Sequence, residues 1–243
     1  VNLVPNPSFE EYSLCPGLNG GNANTLDYWD IDINTVDNFN SCDTNFPFNA
    51  GVPQNVFGYQ CASTGNGYSG LYFYATNGFY DVREMFGGSL ISPLIIGQKY
   101  FVTFKVSSAE SAYSINNFLG LKFTNRNLIN SINAQIIIPP PFIDNMSHVS
   151  TSVIISDTLG WSTIQGSFVA DSSYNNFLLG CFYDTSQIDT ILRPGFNFSK
   201  SYYYLDDVCI SIDSLYCTEI KRQLLDVSAD LNNIFINSCI NFS

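Results

Sequence analysis

The sequence predicts an all-β protein built as a two-sheet sandwich, and three observations lead there. The first is composition. Of 243 residues, 45% are apolar and 15% aromatic, but only 12% are charged. The polar surface must therefore come from Asn, Ser, Thr, Gly and Tyr, which favour turns and strands over helices. The second is alternation: in residues 99–106, Tyr100, Val102, Phe104 and Val106 fall on one face with period 2, as in a strand with one buried side. The third is spacing. Such runs follow one another with turn residues between them and no helical pattern, which suits a sandwich rather than a βαβ fold.

The elements follow in order. Val1-Asn2-Leu3-Val4 reads as a mature terminus left after signal removal, which fits secretion. Residues 15–60 form a long Asn- and Gly-rich excursion with few strand signals, expected to pack down through Trp29, Phe39, Phe46 and Phe48. Strand-like runs then occupy 70–75, 99–106, 117–123, 149–155, 160–169, 176–183 and 202–211. Gly65-Asn66-Gly67, Gly87-Gly88, Pro139-Pro140-Pro141 and Pro194-Gly195 punctuate them. A boundary after Ile212 separates a body, 1–212, from a tail, 213–243, that carries the cluster Glu219-Ile-Lys-Arg222.

Charge and length exclude several functions. Nine Lys and Arg against 21 Asp and Glu give a net charge of −12, which a phosphate backbone would repel, so nucleic acid is not a partner. The apolar content is too high for a disordered chain. No apolar run approaches the ~20 residues of a membrane-spanning helix.

Seven cysteines in a chain of this surface type point to an oxidising, extracellular compartment, with one cysteine left over by parity. Cys15 and Cys42 bracket the long excursion and are the first expected pair; closing a loop of about 28 residues stabilises by roughly 3 kcal/mol in the chain-entropy picture. Cys209–Cys217 and Cys61–Cys181 are the next expected pairs, with Cys239 as the odd one, although sequence alone does not set connectivity.

The opening Asn2-Leu-Val-Pro-Asn-Pro-Ser-Phe-Glu10 resembles the first strand of galactose-binding-like jelly-roll domains, the group that holds many carbohydrate-binding modules. Gly67-Tyr-Ser-Gly-Leu-Tyr-Phe73 resembles their Ser-Gly turn and following strand, and Tyr204-Leu-Asp-Asp-Val-Cys-Ile210 their last strand. The segments 52–60, Arg83-Glu84, 97–100 and 107–113 are also similar to a domain in large surface or secreted proteins of Bacteroidetes, which often end in a type IX sorting domain. The resemblance spans roughly residues 2–212 and implies a jelly-roll β-sandwich of two antiparallel sheets, with the long N-terminal excursion and the short C-terminal tail outside that pattern. In the tail, Phe235-Ile-Asn-Ser238 stands where a sorting domain has Tyr-Pro-Asn-Pro and lacks both prolines, so an extra strand or an interaction tail is an equal reading.

The resemblance also implies a structural calcium where first and last strands meet. Glu10, with Asp206 or Asp207 and carbonyls around Ser69, would supply the oxygen ligands that Ca²⁺ requires. Neighbouring strand residues point to opposite faces, so only one of the two aspartates is expected to face the ion. The alternative is that these are exposed turn acids. For a ligand face, Trp29, Tyr59, Gln60, Tyr68, Arg83, Glu84, Tyr113 and Asn117 lie in or beside loops and carry the rings, amides and charges that read sugars. With 15 Tyr and 20 Phe, most rings must instead be core, and Arg83–Glu84 reads alternatively as a buried ion pair. The lone His148 makes neither a zinc site nor a triad with a Gly-x-Ser-x-Gly elbow and is expected at the surface. The expected function is non-catalytic binding of a polysaccharide or cell-surface glycan, outside the cell or attached to its surface; the alternative is a structural, adhesive or secretion-system-associated protein acting through contacts with another surface protein.

Overall fold

The computed structural model describes residues 1–15, 26–33, 35–44, 50–76, 81–125, 146–197 and 199–217. Its strands in chain order are β1 (Ile31–Ile33), β2 (Asp37–Asn40), β3 (Gln54–Asn55), β4 (Gly58–Tyr59), β5 (Gly67–Thr76), β6 (Asp81–Val82), β7 (Met85–Ser89) and β8 (Lys99–Ser108). They continue as β9 (Ser114–Asn116), β10 (Gly120–Thr124), β11 (Val149–Ser150), β12 (Ser162–Val169), β13 (Asn176–Gly180), β14 (Thr190–Leu192) and β15 (Ser199–Ser211). One sheet has the order β1-β7-β13-β10-β11, the other β12-β8-β15-β5-β2 with β6 added to β5. Every pairing is antiparallel. The fold is a jelly-roll β-sandwich.

Alternation decides which side chains fill the space between the sheets. From β8 come Tyr100, Val102, Phe104 and Val106; from β5, Leu71 and Phe73; from β15, Tyr203, Leu205, Val208 and Ile210. Phe86 of β7 and Phe177 and Leu179 of β13 face them. At the centre, the Trp29 ring lies 4.5 Å from Phe9, 4.8 Å from Phe86 and 5.2 Å from Phe177. Its indole N–H donates to the Asn6 carbonyl at 2.9 Å, so this large ring is buried with its polar atom satisfied.

The N-terminal segment completes the larger sheet. β5 pairs with β15 only as far as Leu205, and residues 1–9 take its place beside the lower half of β15. The Leu3 N–H donates to Ile210 O and the Val208 N–H to Pro7 O, both at 2.8 Å. The Asn2 amide donates to Val208 O and accepts from the Ile210 N–H, both at 2.9 Å. The segment is extended without a regular ladder, and Asn6 and Phe9 take positive φ.

The outer faces of both sheets are also apolar. On the larger sheet, Phe39, Tyr68, Tyr202 and Tyr204 form a second buried cluster, covered by Ala50, Val52, Phe57, Ala62 and Trp161. Gly70 sits under this cover because a Cβ there would come within 2.6 Å of the Tyr202 ring and 2.9 Å of Phe39. On the smaller sheet, Ile31, Ile33, Met85, Leu178 and Phe182 form a third. Two buried amides on β2, Asn38 and Asn40, leave Nδ2 atoms that meet no acceptor.

Several sequence expectations change. The excursion at 15–60 holds β1 to β4, because short segments such as Asp37-Asn-Phe-Asn40 become strands through burial rather than intrinsic propensity. β7 was not anticipated, since two of its five residues are glycines. The run at 149–155 shrinks to Val149–Ser150. Phe46 and Phe48 lie outside the described residues, as do Cys239, 219–222 and 235–238. Cys15 is bonded to Cys42 with Cα atoms 6.0 Å apart, and Cys209 to Cys217 at 5.7 Å. Cys61 is disulfide-bonded, but not to Cys181, whose thiol is reduced and buried in the main core. Within the core a thiol behaves as a small apolar side chain. Among the described residues Cys181 is the cysteine without a disulfide, and the expectation for Cys239 lies outside them. Among the described residues no helix is long and apolar enough to cross a membrane.

Cys15 and Cys42 are 27 residues apart. Replacing both with serine is expected to lower the unfolding free energy by about 3 kcal/mol, through the denatured-state freedom that the bond removes. Chemical denaturation of the variant checks this.

Candidate functional site

Two places gather polar and aromatic side chains. The first is the seam where the chain's first segment, the 63–67 turn and β15 meet. The Glu10 carboxylate accepts from the Asn66 and Gly67 N–H groups at 2.8 Å through one oxygen. Gly65, with φ +67, leaves room for it, since a Cβ there would fall 2.4 Å from the Glu10 carboxyl. Asp206 is fully buried and accepts from the Ser63 and Thr64 N–H groups at 2.8 and 3.3 Å and from the Asp207 N–H at 2.7 Å. Asp207 accepts from the hydroxyls of the same Ser63 and Thr64.

The expectation that one aspartate would turn away does not hold. Asp207 has φ +52, and the register of β15 shifts between Asp206 and Cys209. That bulge rotates one side chain, so both carboxylates grip the same turn. Ser69 is buried one pair further along, bonded to Asn38. Each Asp206 and Asp207 carboxylate oxygen thus already accepts a hydrogen bond from an N–H or O–H group. A donor-lined cluster is the reverse of the oxygen cage that Ca²⁺ takes, and as arranged these residues do not fit it. Among the described residues no three His, Cys, Asp or Glu side chains converge as they do around a metal ion. Hydrogen bonds hold the seam.

The ligand-face residues scatter. Trp29 is central core. Tyr68 is fully buried, donating to Gln60 O and accepting from Asn55. Gln60 is buried and accepts from the Ser107 hydroxyl. Asn117 is buried in a two-way bond with Asp189. Arg83 and Glu84 are both buried but reach apart: the Arg83 guanidinium goes to the carbonyls of Cys181 and Tyr183 and lies over the Tyr74 ring, while Glu84 accepts from Thr35 and the Tyr72 N–H. These six serve the fold in this conformation. His148 is half-buried rather than superficial. Its Nδ1 accepts from the Phe123 N–H, and its ring packs edge-on against Phe168 and Tyr174, each 5.0 Å away.

Tyr59 and Tyr113 lie on loops that meet at the second place, an aromatic rim where β8 and β5 end and β15 begins. Three loops are tied there. The Ser111 N–H donates to Phe57 O at 3.0 Å, and the Tyr59 N–H to Glu110 Oε2 at 3.1 Å. Arg193 clamps the loop after β8, donating to Ala109 O at 2.7 Å, Glu110 O at 2.9 Å, Ala112 O at 3.2 Å and the Ser108 hydroxyl at 2.9 Å. On this scaffold the Tyr113 ring stacks on Phe196, centroids 3.9 Å apart, and Phe57 stacks on Tyr202 at the same distance. Tyr72 stands edge-on to both Phe57 and Tyr202. The Lys200 ammonium lies 4.7 Å from the Tyr72 ring and 5.5 Å from Tyr113, joining the two ring pairs into one strip. Phe196, 39% exposed, is its outermost ring.

Sequence reasoning missed Phe57, Tyr72, Arg193, Phe196 and Lys200. One signal was available: Pro194-Gly195 marks a turn, and Phe196 is an aromatic displayed directly after it.

No family model matches the chain, and no curated protein matches it. Similar solved structures include TmCBM61 in complex with beta-1,4-galactotriose, at 12% identity over 87% of this chain and 98% of that one, with a TM-score of 0.38. The CBM22-1 xylan-binding domain from Paenibacillus barcinonensis Xyn10C matches at 12% identity over 84% and 90%, with a TM-score of 0.39. The K1 cleaved adhesin domain of Lys-gingipain from Porphyromonas gingivalis W83 matches at 11% identity over 85% and 96%, with a TM-score of 0.38.

Two outcomes follow for the seam. Removing divalent cations with a chelator should leave Tm unchanged, and a fall in Tm on chelation would put an ion there. Burial, and then the charge of Asp207, push the Asp206 carboxyl well above its usual range. A raised folded-state value favours the native protein below the unfolded carboxylate pKa, and that stabilisation is lost as pH rises through the folded one. The variant Asp206→Asn lacks this loss, so its stability relative to the parent should increase as pH rises above about 4. Unfolding titrations of both proteins across acid to neutral pH check the sign.

Proposed function

We propose that this domain is a secreted, non-catalytic module that binds glycan at the aromatic rim. The observation that carries the reading is the strip from Phe196 through Tyr113 and Lys200 to Tyr72 and Phe57. The exposed Phe196 ring, backed by Tyr113, offers a flat surface that suits the apolar face of a pyranose ring, while the neighbouring loop carbonyls, Glu110 and Lys200 offer partners to hydroxyls. Rigid support favours binding: Arg193 fixes the loop that carries Tyr113 with four hydrogen bonds, so little ordering remains to oppose association. Two disulfides within the described residues support an oxidising, extracellular setting.

Binding rather than catalysis is supported by how the acids are used. Glu10, Asp206, Asp207 and Glu84 each spend their oxygens on structural N–H or O–H groups. A general acid and base need carboxyls open to substrate.

A glycan array followed by calorimetry on the best hits tests the proposal. Phe196→Ala and Tyr113→Ala are each expected to weaken binding about tenfold or more, a loss of roughly 1.4 kcal/mol, with Tm close to the parent's. No glycan binding, or unchanged affinity in both variants, overturns it.

A further inference from the structure

The seven cysteines of the sequence can be assigned one by one. Cys15 is joined to Cys42, and Cys209 to Cys217. Cys181 keeps a reduced thiol inside the main core. Cys61 is disulfide-bonded, and none of these five is its partner. Cys239 is the one cysteine of the sequence that remains.

The backbone around Cys61 is pinned on both sides. Its carbonyl accepts from the Trp161 indole N–H at 2.9 Å and from the Gln60 amide at 3.1 Å. Just before it, the Gln60 N–H donates to Pro53 O at 2.8 Å, and the Gln60 carbonyl accepts from the Tyr68 hydroxyl at 3.0 Å. Two residues after it, Ser63 donates its N–H to Asp206 and its hydroxyl to Asp207. Cys61 is half-buried, not sealed between the sheets as Cys181 is. The reach required is small. Cys217 lies 5.7 Å from Cys209 between Cα atoms, Cys209 is three residues past Asp206, and Asp206 holds the turn that starts two residues after Cys61. That path spans at most about 35 Å, whereas the chain from Cys217 to Cys239 covers about 75 Å when extended.

We infer that Cys61 is the anchor of the C-terminal tail and is bonded to Cys239. The two thiols lose two protons and two electrons as the S–S bond forms, and a disulfide-bearing oxidant of the extracellular compartment is reduced to two thiols in exchange. The tail is then no separable extension. The chain between Cys217 and Cys239 is closed at both ends by disulfides, and a pull applied at residue 239 enters the body at Cys61. There it meets the hydrogen bonds of Gln60, Trp161 and Ser63 instead of peeling β15 away from its end at Ser211. This inference stands apart from the glycan reading, since none of these residues belongs to the aromatic strip.

Tryptic mapping of the whole chain by mass spectrometry tests it, with free thiols alkylated during denaturation and no reductant present. No Lys or Arg precedes Arg83 or follows Arg222, so Cys61 falls in peptide 1–83 and Cys239 in peptide 223–243. The two are expected as one species that separates on reduction. The alkyl group is expected on Cys181 alone in the parent, and on both Cys181 and Cys61 in the variant Cys239→Ser. The map of the parent needs no variant to fold. Peptide 223–243 found free of 1–83, an alkylated Cys239 in the parent, or 1–83 joined to a second copy of itself overturns the inference.

Discussion

The structure depends on one closure: the first residues of the chain lie antiparallel to its last described strand. Two backbone bonds at 2.8 Å, Leu3 to Ile210 and Val208 to Pro7, and two from the Asn2 side chain make it. Without it, the lower half of β15 has β8 on one side and nothing on the other, because β5 ends its pairing at Leu205. The same closure delivers Phe9 against Trp29 and Phe86, at the centre of the space between the sheets. It also sets Glu10 over the turn that Asp206 and Asp207 hold from below. Sheet, core and seam are thus consequences of a single pairing between residues some 200 positions apart.

The larger sheet departs from the usual sandwich economy, in which one face is dry and the other wet. Tyr202 and Tyr204 alternate with Tyr203 and Leu205 along β15, and both sets are buried. The chain handles this with tyrosine, whose ring fills space while its hydroxyl still finds a partner: Tyr202 donates to Asp37, Tyr204 to Asn55. The loop over this face turns it into a supported platform, and the rings that emerge at its border form the rim. The covered platform and the exposed rim therefore share the same material. The aromatics deepest under the cover hold the loop, and those at its margin face outward.

Much of this was legible in the sequence and some was not, for physical reasons. The long central strands read clearly because period-2 runs such as Tyr100 to Val106 report a buried face directly. The meeting of first and last segments was read from the Asn2–Glu10 and Tyr204–Ile210 motifs, and the two disulfides from the positions of their cysteines. What failed concerns burial and local distortion. Gln60, Tyr68 and Asn117 have the chemistry of sugar-binding side chains, and only packing decides that they face inward. The bulge that swings Asp207 beside Asp206 depends on a positive φ that no side chain advertises. The rim draws on residues from 57 to 200, and sequence distance says nothing about such convergence.

One consequence concerns the order in which the molecule comes apart. Among the described residues β2 pairs only with β5, and it carries two buried amides that lack acceptors, each an outlay of about 1–3 kcal/mol against keeping that strand docked. In hydrogen-exchange terms, such a margin opens sub-globally long before the β8–β15 ladder does. Yet the bond from Cys42 to Cys15 sits two residues past its end. Opening there is the swing of a hinged flap, tethered at its tip, and the strand cannot wander from the groove to which it must return.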